Sequence, residues 1–155
     1  LQAACEAVPE TRFLGNNSSR DVLAVGLPLA EGELEYRRGH HERAFALLRE
    51  AAARDESLRY DEPWGWMQPV RHALGALLLE QGRIAEAEAV YREDLKRHPD
   101  NGWSLTGLAE CLERGGRNDE AAAARAEAAV AWSLADQRPE VSCYCRRGEV
   151  AVGNH

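Results

Sequence analysis

A spacing of 34 residues recurs in the second half of this chain. Four pairs of identical residues are separated by 34 positions: Leu74 and Leu108, Leu78 and Leu112, Gly82 and Gly116, Ala87 and Ala121. Gly39 and Ala44 precede the first glycine and alanine of these pairs by 43 positions, which corresponds to the same unit with nine residues inserted. A fixed period of this length predicts a chain built from repeated supersecondary units.

The composition predicts that these units are helical. Ala, Leu, Glu and Arg are abundant, there are six Pro, and no run of alternating β-branched residues predicts a strand. Apolar periodicity and turn residues predict six helices, the first of them interrupted or bent near Gly26 and Pro28. They cover residues 21–38, 42–54, 64–81, 84–97, 102–114 with Asn101 as the N-cap, and 119–135.

The repeated unit resembles the tetratricopeptide repeat, whose pattern is W-x2-L-G-x2-Y, then A-x3-F, then P over 34 residues. The best copy reads Arg71-x2-Leu74-Gly75-x2-Leu78, then Ala87-x3-Tyr91, then Pro99. The next copy begins Leu105-x2-Leu108-Ala109-x2-Leu112. The resemblance implies an all-α fold, a right-handed α-solenoid of about three helix-turn-helix hairpins with irregular N- and C-terminal segments.

Three segments follow from this register. Residues 1–20 form an N-terminal segment that we interpret as the end of an upstream repeat, 21–135 form the repeat domain, and 136–155 form an irregular tail. We expect the chain to be the C-terminal part of a longer solenoid. Asp94 and Arg125 stand where the family has alanine and an aromatic residue, so we expect the outer faces there to be solvated.

The resemblance also implies where a ligand binds, because family members contact ligands on the first helix of each hairpin, along a concave face. The corresponding residues mix aromatic, acidic and basic groups: Glu33, Tyr36, Arg37, His72, Glu80, Trp103, Thr106, Glu110 and Arg114. For His72 we expect an exposed surface position. The predicted function is a non-catalytic scaffold that binds a protein or peptide segment. Self-association through exposed hairpin seams is a further expectation.

Several other functions are excluded or disfavoured. The net charge of −7 argues against nucleic-acid binding, and no apolar run reaches the roughly 18–20 residues that span a bilayer. The sequence contains no phosphate-binding loop, nucleophile elbow or dinucleotide fingerprint. His40 and His41 are adjacent in a turn and lack the spacing of a zinc-binding helix.

An alternative function rests on Cys143-Tyr144-Cys145 in the tail. Two thiolates of an extended segment point to one side and are half of a tetrahedral zinc or copper site, so the alternative is a metal-binding or redox-linked module. The remaining ligands would come from His155, Cys111, Cys5 or the turn at His40 and His41. The competing interpretation is that both thiols anchor the tail. Since a disulfide between these two cysteines is strained, we expect any oxidised form to pair with another cysteine.

Two other features carry expectations. Trp64 and Trp66 are expected to cap the apolar seam between the first two hairpins, and Trp132 is expected to pack under the tail. The resemblance favours reduced thiols and a cytoplasmic location, although four cysteines do not decide the compartment.

Overall fold

The computed structural model describes residues 2–67 and 69–146, which are predominantly helical. The elements follow in the order α1, β1, β2 and α2 to α7. Their bounds are Gln2–Glu6 for α1, Phe13–Leu14 for β1, Asn17–Ser18 for β2, Ser19–Arg37 for α2, His41–Ser57 for α3, Arg71–Glu80 for α4, Ile84–Arg97 for α5, Gly102–Arg114 for α6 and Asn118–Ala131 for α7. This confirms the predicted all-α helical-repeat class.

The chain divides into two compact units, Leu1–Arg71 and His72–His155. Unit 1 contains α1, the short antiparallel pair β1–β2 and the hairpin α2–α3. Unit 2 contains α4 from its second residue onward, together with α5, α6 and α7. Within unit 2, α6 packs against both α5 and α7.

Three turns repeat the same backbone conformation. Gly39, Gly82 and Gly116 have φ angles of 82°, 72° and 74°, a left-handed region that glycine adopts without a steric penalty. At each turn the glycine amide donates to the carbonyl three residues earlier, and the following amide donates to the carbonyl five residues earlier. This is the Schellman arrangement that ends a helix. The glycine spacing seen in the sequence therefore marks the turn of each hairpin.

The core of unit 1 lies between α2 and α3. Val25, Ala51, Ala52 and Val70 are buried there, and Trp66 packs against them. A Cβ on Gly26 of α2 would lie 2.8 Å from Cη2 of the Trp66 ring. Trp66 is thus part of the unit 1 core, whereas the sequence suggested a cap between two hairpins. Trp64 is 46% exposed.

The core of unit 2 is organised around Tyr91 of α5. Its ring lies against Gly75 of α4 and Gly107 of α6, and a Cβ on Gly75 would come within 2.6 Å of Cε1 of the ring. Both glycines are needed because any side chain there would overlap the aromatic ring. Buried apolar side chains of α4 and α6 complete the core: Leu74, Leu77, Leu78, Leu79, Leu105, Leu108, Cys111 and Leu112.

The helix bounds differ from the prediction in three places. The predicted helix 64–81 begins only at Arg71, since Pro69 cannot donate the backbone hydrogen bond that a helix through this region requires. By contrast, α2 runs through Gly26 and Pro28 without interruption. The N-terminal segment, expected to be irregular, contains α1 and the strand pair. The bounds Ile84–Arg97 of α5 and the N-cap at Asn101 were predicted correctly.

Candidate functional site

The predicted binding positions on α2 are Glu33, Tyr36 and Arg37, which we call the α2 face. Tyr36 is buried and its ring packs edge-on against Phe45 of α3 at 6.0 Å. The exposed guanidinium of Arg37 lies 5.3 Å from the centre of the Tyr36 ring, a cation–π contact. Partial burial raises the pKa of the Glu33 carboxyl, and the charge of Arg37 opposes that shift.

A buried carboxylate lies beside the α2 face, at the end of the helix. Glu35 accepts hydrogen bonds of 2.7 Å from Nη1 of Arg38 and Nδ1 of His40, and Arg43 lies within 3.8 Å. The hydrogen bonds from His40 and Arg38 lower the pKa of this carboxyl below 4.5. Cationic partners therefore compensate the burial of this charge.

The predicted positions on α6 form a second surface, the α6 face, made of Trp103, Thr106 and Glu110. Residues at positions i, i+3 and i+7 lie on one side of a helix. The Trp103 ring contacts Trp132, which follows α7, edge-on at 5.4 Å. Nε1 of Trp132 donates to Oγ1 of Thr106 at 3.4 Å. Trp132 thus packs directly on α6 beside the C-terminal segment.

This C-terminal segment, Ser142–Arg146, lies on the α6 face. The Tyr144 ring meets Trp103 edge-on at 5.0 Å, and Nη1 of Arg146 donates to Oε2 of Glu110 at 2.5 Å. The other carboxylate oxygen of Glu110 lies 2.9 Å from Nη2 of Arg114. The hydrogen bond to Glu110 raises the pKa of Arg146, so this cation remains charged at all working pH values.

The deepest contact of the C-terminal segment is made by Ser142, which is 0% exposed. Its hydroxyl shares a hydrogen bond of 2.5 Å with the hydroxyl of Tyr91. Because the Tyr91 ring lies against Gly75 and Gly107, its hydroxyl reaches through the core to the C-terminal segment. Burial raises the pKa of Tyr91, and the bond to Ser142 opposes that shift. Tyr91 is therefore a neutral phenol at physiological pH.

His72 occupies a buried position, so the expectation of an exposed surface residue is wrong. Its side chain is 4% exposed and its ring lies 6.1 Å from Trp103. Nδ2 of Asn101 lies 2.6 Å from Nε2 of His72, and donates to it when the imidazole is neutral. Burial lowers the pKa of His72, with Asp94 opposing the shift and His98 adding to it.

Asp94 is the functional-looking residue that the sequence misplaced. We expected a solvated position, but the side chain is 1% exposed. Its Oδ2 accepts hydrogen bonds from Ser104 at 2.6 Å and from Asn101 at 2.7 Å. This network links α5 to the start of α6 and holds Trp103 in place through the N-cap Asn101. The departure from alanine in the repeat pattern was the one available signal.

The remaining predicted residues connect α4 and α6. Nη1 of Arg114 donates to the Leu79 carbonyl at 2.9 Å, which ties the end of α6 to α4. Glu80, next along α4, is partly buried and contributes to the negative potential at Arg146. Arg125 is exposed, as expected, and pairs with Glu113.

Cys143 and Cys145 are joined by a disulfide, which contradicts the expectation that each would pair elsewhere. Cys5 and Cys111 are free, and burial raises the pKa of Cys111 to about 12, so its thiol is unreactive. Across residues 2–67 and 69–146, no group of three or more His, Cys, Asp and Glu side chains is placed to hold a metal ion. The candidate ligand His155 lies outside the described residues. Bonded sulfurs do not fit a zinc or copper site, and the metal alternative is not favoured.

A cavity of about 510 Å³ lies elsewhere, in unit 1. Its lining comes from α1, β1, the intervening loop and the start of α2, and includes Val8, Phe13, Val22 and Leu23. None of the sequence-predicted site residues lines it. In the part of the chain that is described, we find no helix with the length and apolarity that crossing a membrane requires.

Comparison with known proteins identifies the repeat. Residues 78–131 match the family model described as Tetratricopeptide repeat, which confirms the resemblance predicted from the sequence. The matched segment runs from the end of α4 to the end of α7 and includes the α6 face. Tetratricopeptide repeats generally mediate protein–protein interaction. No curated protein matches the chain.

Proposed function

We propose that this chain is a non-catalytic scaffold that binds a protein segment on the first helices of its hairpins. In unit 2 the binding surface is the α6 face, Trp103, Thr106 and Glu110, bordered by Glu80 and Arg114. In unit 1 the corresponding positions are those of the α2 face. The repeat match supports a protein as the partner.

One observation carries the proposal. The α6 face holds a peptide segment, that of the chain's own C-terminus, through an aromatic contact with Trp103 and an ion pair with Glu110. The groups that make these contacts are side chains of α6 directed away from its helical partner in the repeat pattern. A surface that accommodates one peptide segment has the shape and the polar groups to accommodate another.

The polar groups of unit 2 favour a scaffold over an enzyme. His72 and Asp94, an imidazole and a carboxylate 4.0 Å apart, are both buried among structural hydrogen bonds. Glu110 is engaged by two arginines. General acid–base chemistry needs a titratable group within reach of a substrate, and these groups are bonded to one another instead.

The test is selection of binding peptides from a displayed library of random sequences, with the full-length chain as bait. Affinities of the selected peptides are then measured by fluorescence anisotropy. We expect Trp103→Ala and Glu110→Gln to weaken binding at least tenfold, because they remove the aromatic platform and the negative charge. Glu127→Gln is the matched control, since Glu127 is exposed on α7 and removes the same charge elsewhere.

Two outcomes would overturn the proposal. One is a selection that yields no peptide specific for the chain. The other is a set of peptides whose affinities are equal for wild type, Glu110→Gln and Glu127→Gln. Circular dichroism of each variant confirms that the helices are intact, and Glu110→Gln preserves the side-chain shape if Trp103→Ala does not fold.

A further inference from the structure

The C-terminal segment is attached to the rest of unit 2 by an exposed connector, residues 133–141. Leu134, near its start, is 98% exposed. Among the described residues, no side chain from Ser133 to Glu140 forms a hydrogen bond or ion pair with another residue. The connector's backbone bonds are two short contacts back to the end of α7, Ser133 to Val130 and Ala135 to Trp132. A connector of this kind does not by itself fix the position of the C-terminal segment.

The segment after this connector is nevertheless firmly seated. Ser142 and Cys143 are buried, and the side chain of Arg146 is only 15% exposed. The backbone makes a turn in which the Arg146 amide donates to the Cys143 carbonyl at 3.2 Å. The contrast between an exposed connector and a buried end is that of a tethered ligand on its site.

The chemistry of the contacts defines the ligand class that this site recognises. A small hydroxyl meets the Tyr91 hydroxyl, an aromatic ring meets the edge of Trp103, and a guanidinium meets the Glu110 carboxylate. Glu80 adds negative potential near that guanidinium. Charge complementarity therefore favours a basic segment, and the buried hydroxyl pair favours serine at the deepest position.

We infer that Ser142–Arg146 is an intramolecular ligand of the α6 face, and that the protein partner displaces it with a segment of the same chemistry, serine, then an aromatic residue two positions on, then arginine two positions further. This inference rests on the proposed function. A tethered segment competes at an effective concentration in the millimolar range, so an external segment binds the intact chain weakly. Binding strengthens when the chain's own segment is released.

The experiment uses the full-length chain and a fluorescent synthetic peptide of residues 139–148, with its two cysteines oxidised. The chain is compared with the double variant Tyr144→Ala/Arg146→Glu, which removes the aromatic contact and places a negative charge against Glu110. The matched control is Arg138→Glu, the same charge change in the exposed connector. We expect the peptide to bind the double variant at least tenfold more tightly than wild type or Arg138→Glu. Adding Glu110→Gln, or replacing Arg146 by Glu in the peptide, should remove most of that gain.

A milder variant guards against misfolding. Arg146→Gln keeps a hydrogen-bond donor and loses the charge, and we expect an affinity for the peptide between those of wild type and the double variant. Equal peptide affinities for wild type, Arg146→Gln and the double variant would overturn the inference. If library-selected peptides bind the α6 face and the 139–148 peptide does not, the inference fails while the proposed function stands. If neither kind of peptide binds, both fail.

Discussion

The α2 face and the α6 face occupy corresponding positions in the repeat but have different surroundings. On α2, the exposed guanidinium of Arg37 lies over Tyr36, which packs on the next helix of its own hairpin. On α6, Trp103 and Glu110 are contacted by residues far along the chain, Trp132, Tyr144 and Arg146. One face is built from local contacts, and the other is shared with a distant segment.

The difference teaches that repeat register predicts the position of a side chain better than its cover. Sequence places both faces on first helices, but it does not indicate that a tail returns to one of them. The two units also handle a buried carboxylate differently. Glu35 in unit 1 has cationic partners, whereas Asp94 in unit 2 accepts from the neutral donors Ser104 and Asn101.

The largest expected effect concerns the glycines beneath the two faces. Gly107→Ala places a Cβ inside the space of the rigid Tyr91 ring, whereas Gly32→Ala meets Cγ of the more adaptable Leu48 side chain at 2.9 Å. We expect a loss of unfolding free energy of about 3 kcal/mol for Gly107→Ala and about 1 kcal/mol for Gly32→Ala. Urea unfolding followed by circular dichroism measures both. Equal losses would show that Tyr91 is not the rigid centre of unit 2.

The next effect tests the link between Tyr91 and the C-terminal segment. Tyr91→Phe leaves the buried Ser142 hydroxyl without its partner, and we expect a loss of about 1–2 kcal/mol. Ser142→Ala should cost a similar amount, and the double variant less than the sum. A coupling of about 1 kcal/mol in this double-mutant cycle confirms the contact. Strictly additive losses would mean that the segment does not rest on Tyr91 in solution.

A pH series separates the two units. The folded pKa values of His72 and His98 in unit 2 are lowered from 6.5, so below pH 6.5 the unfolded state binds protons that the folded state resists. Stability of unit 2 therefore falls as the pH drops below 6.5. In unit 1, the pKa of Glu35 is lowered from 4.5, so its contribution is present above pH 4.5 and is lost only at lower pH.

Hydrogen exchange, resolved by segment and corrected for intrinsic rates, measures this difference between pH 7.5 and 5.5. We expect protection to decrease in α4–α7 and to change little in α2–α3. His72→Gln retains an acceptor for Asn101 and should reduce the pH dependence of unit 2, with His98 accounting for the remainder. The same pH dependence in both units would contradict this account.

The smallest effect is expected at the outer surface of the last hairpin. Arg125 and Glu113 are both more than half exposed, and such pairs contribute little because solvent screens them. Arg125→Ala should change the unfolding free energy by less than about 0.5 kcal/mol. A loss comparable to that of Tyr91→Phe would mean that this ion pair is part of a larger structural network.

The fold was predictable where a local signal marks each boundary. Glycine turns at 39, 82 and 116, the N-cap Asn101 and Pro99 delimit helices whose bounds agree with the prediction to within a few residues. The predicted start of α4 was wrong because apolar residues from Trp64 onward suggested a helix that Pro69 does not allow. Continuity of α2 through Pro28 was missed because packing of its buried face outweighs the proline penalty.

The candidate site was predictable only in part. Helical spacing alone places Trp103, Thr106 and Glu110 on one face. Burial of His72 and Asp94 depends on partners that are close in space and distant in sequence, and no local pattern encodes them. The contact between Ser142 and Tyr91, 51 residues apart, depends on two glycines that let a ring lie between helices. Long-range contacts of this kind determine which predicted residues remain accessible.

The most direct measurement is a titration followed by the indole signals of the four tryptophans in a ¹H–¹⁵N NMR spectrum. Trp103 and Trp132 lie at the α6 face, while Trp64 and Trp66 lie in unit 1 and act as internal controls. The full-length Tyr144→Ala/Arg146→Glu variant is titrated with the unlabelled 139–148 peptide. We predict saturable shifts of the Trp103 and Trp132 signals and unchanged signals for Trp64 and Trp66. Shifts confined to unit 1, or no saturable shift at all, would contradict the assignment of the α6 face as a binding surface.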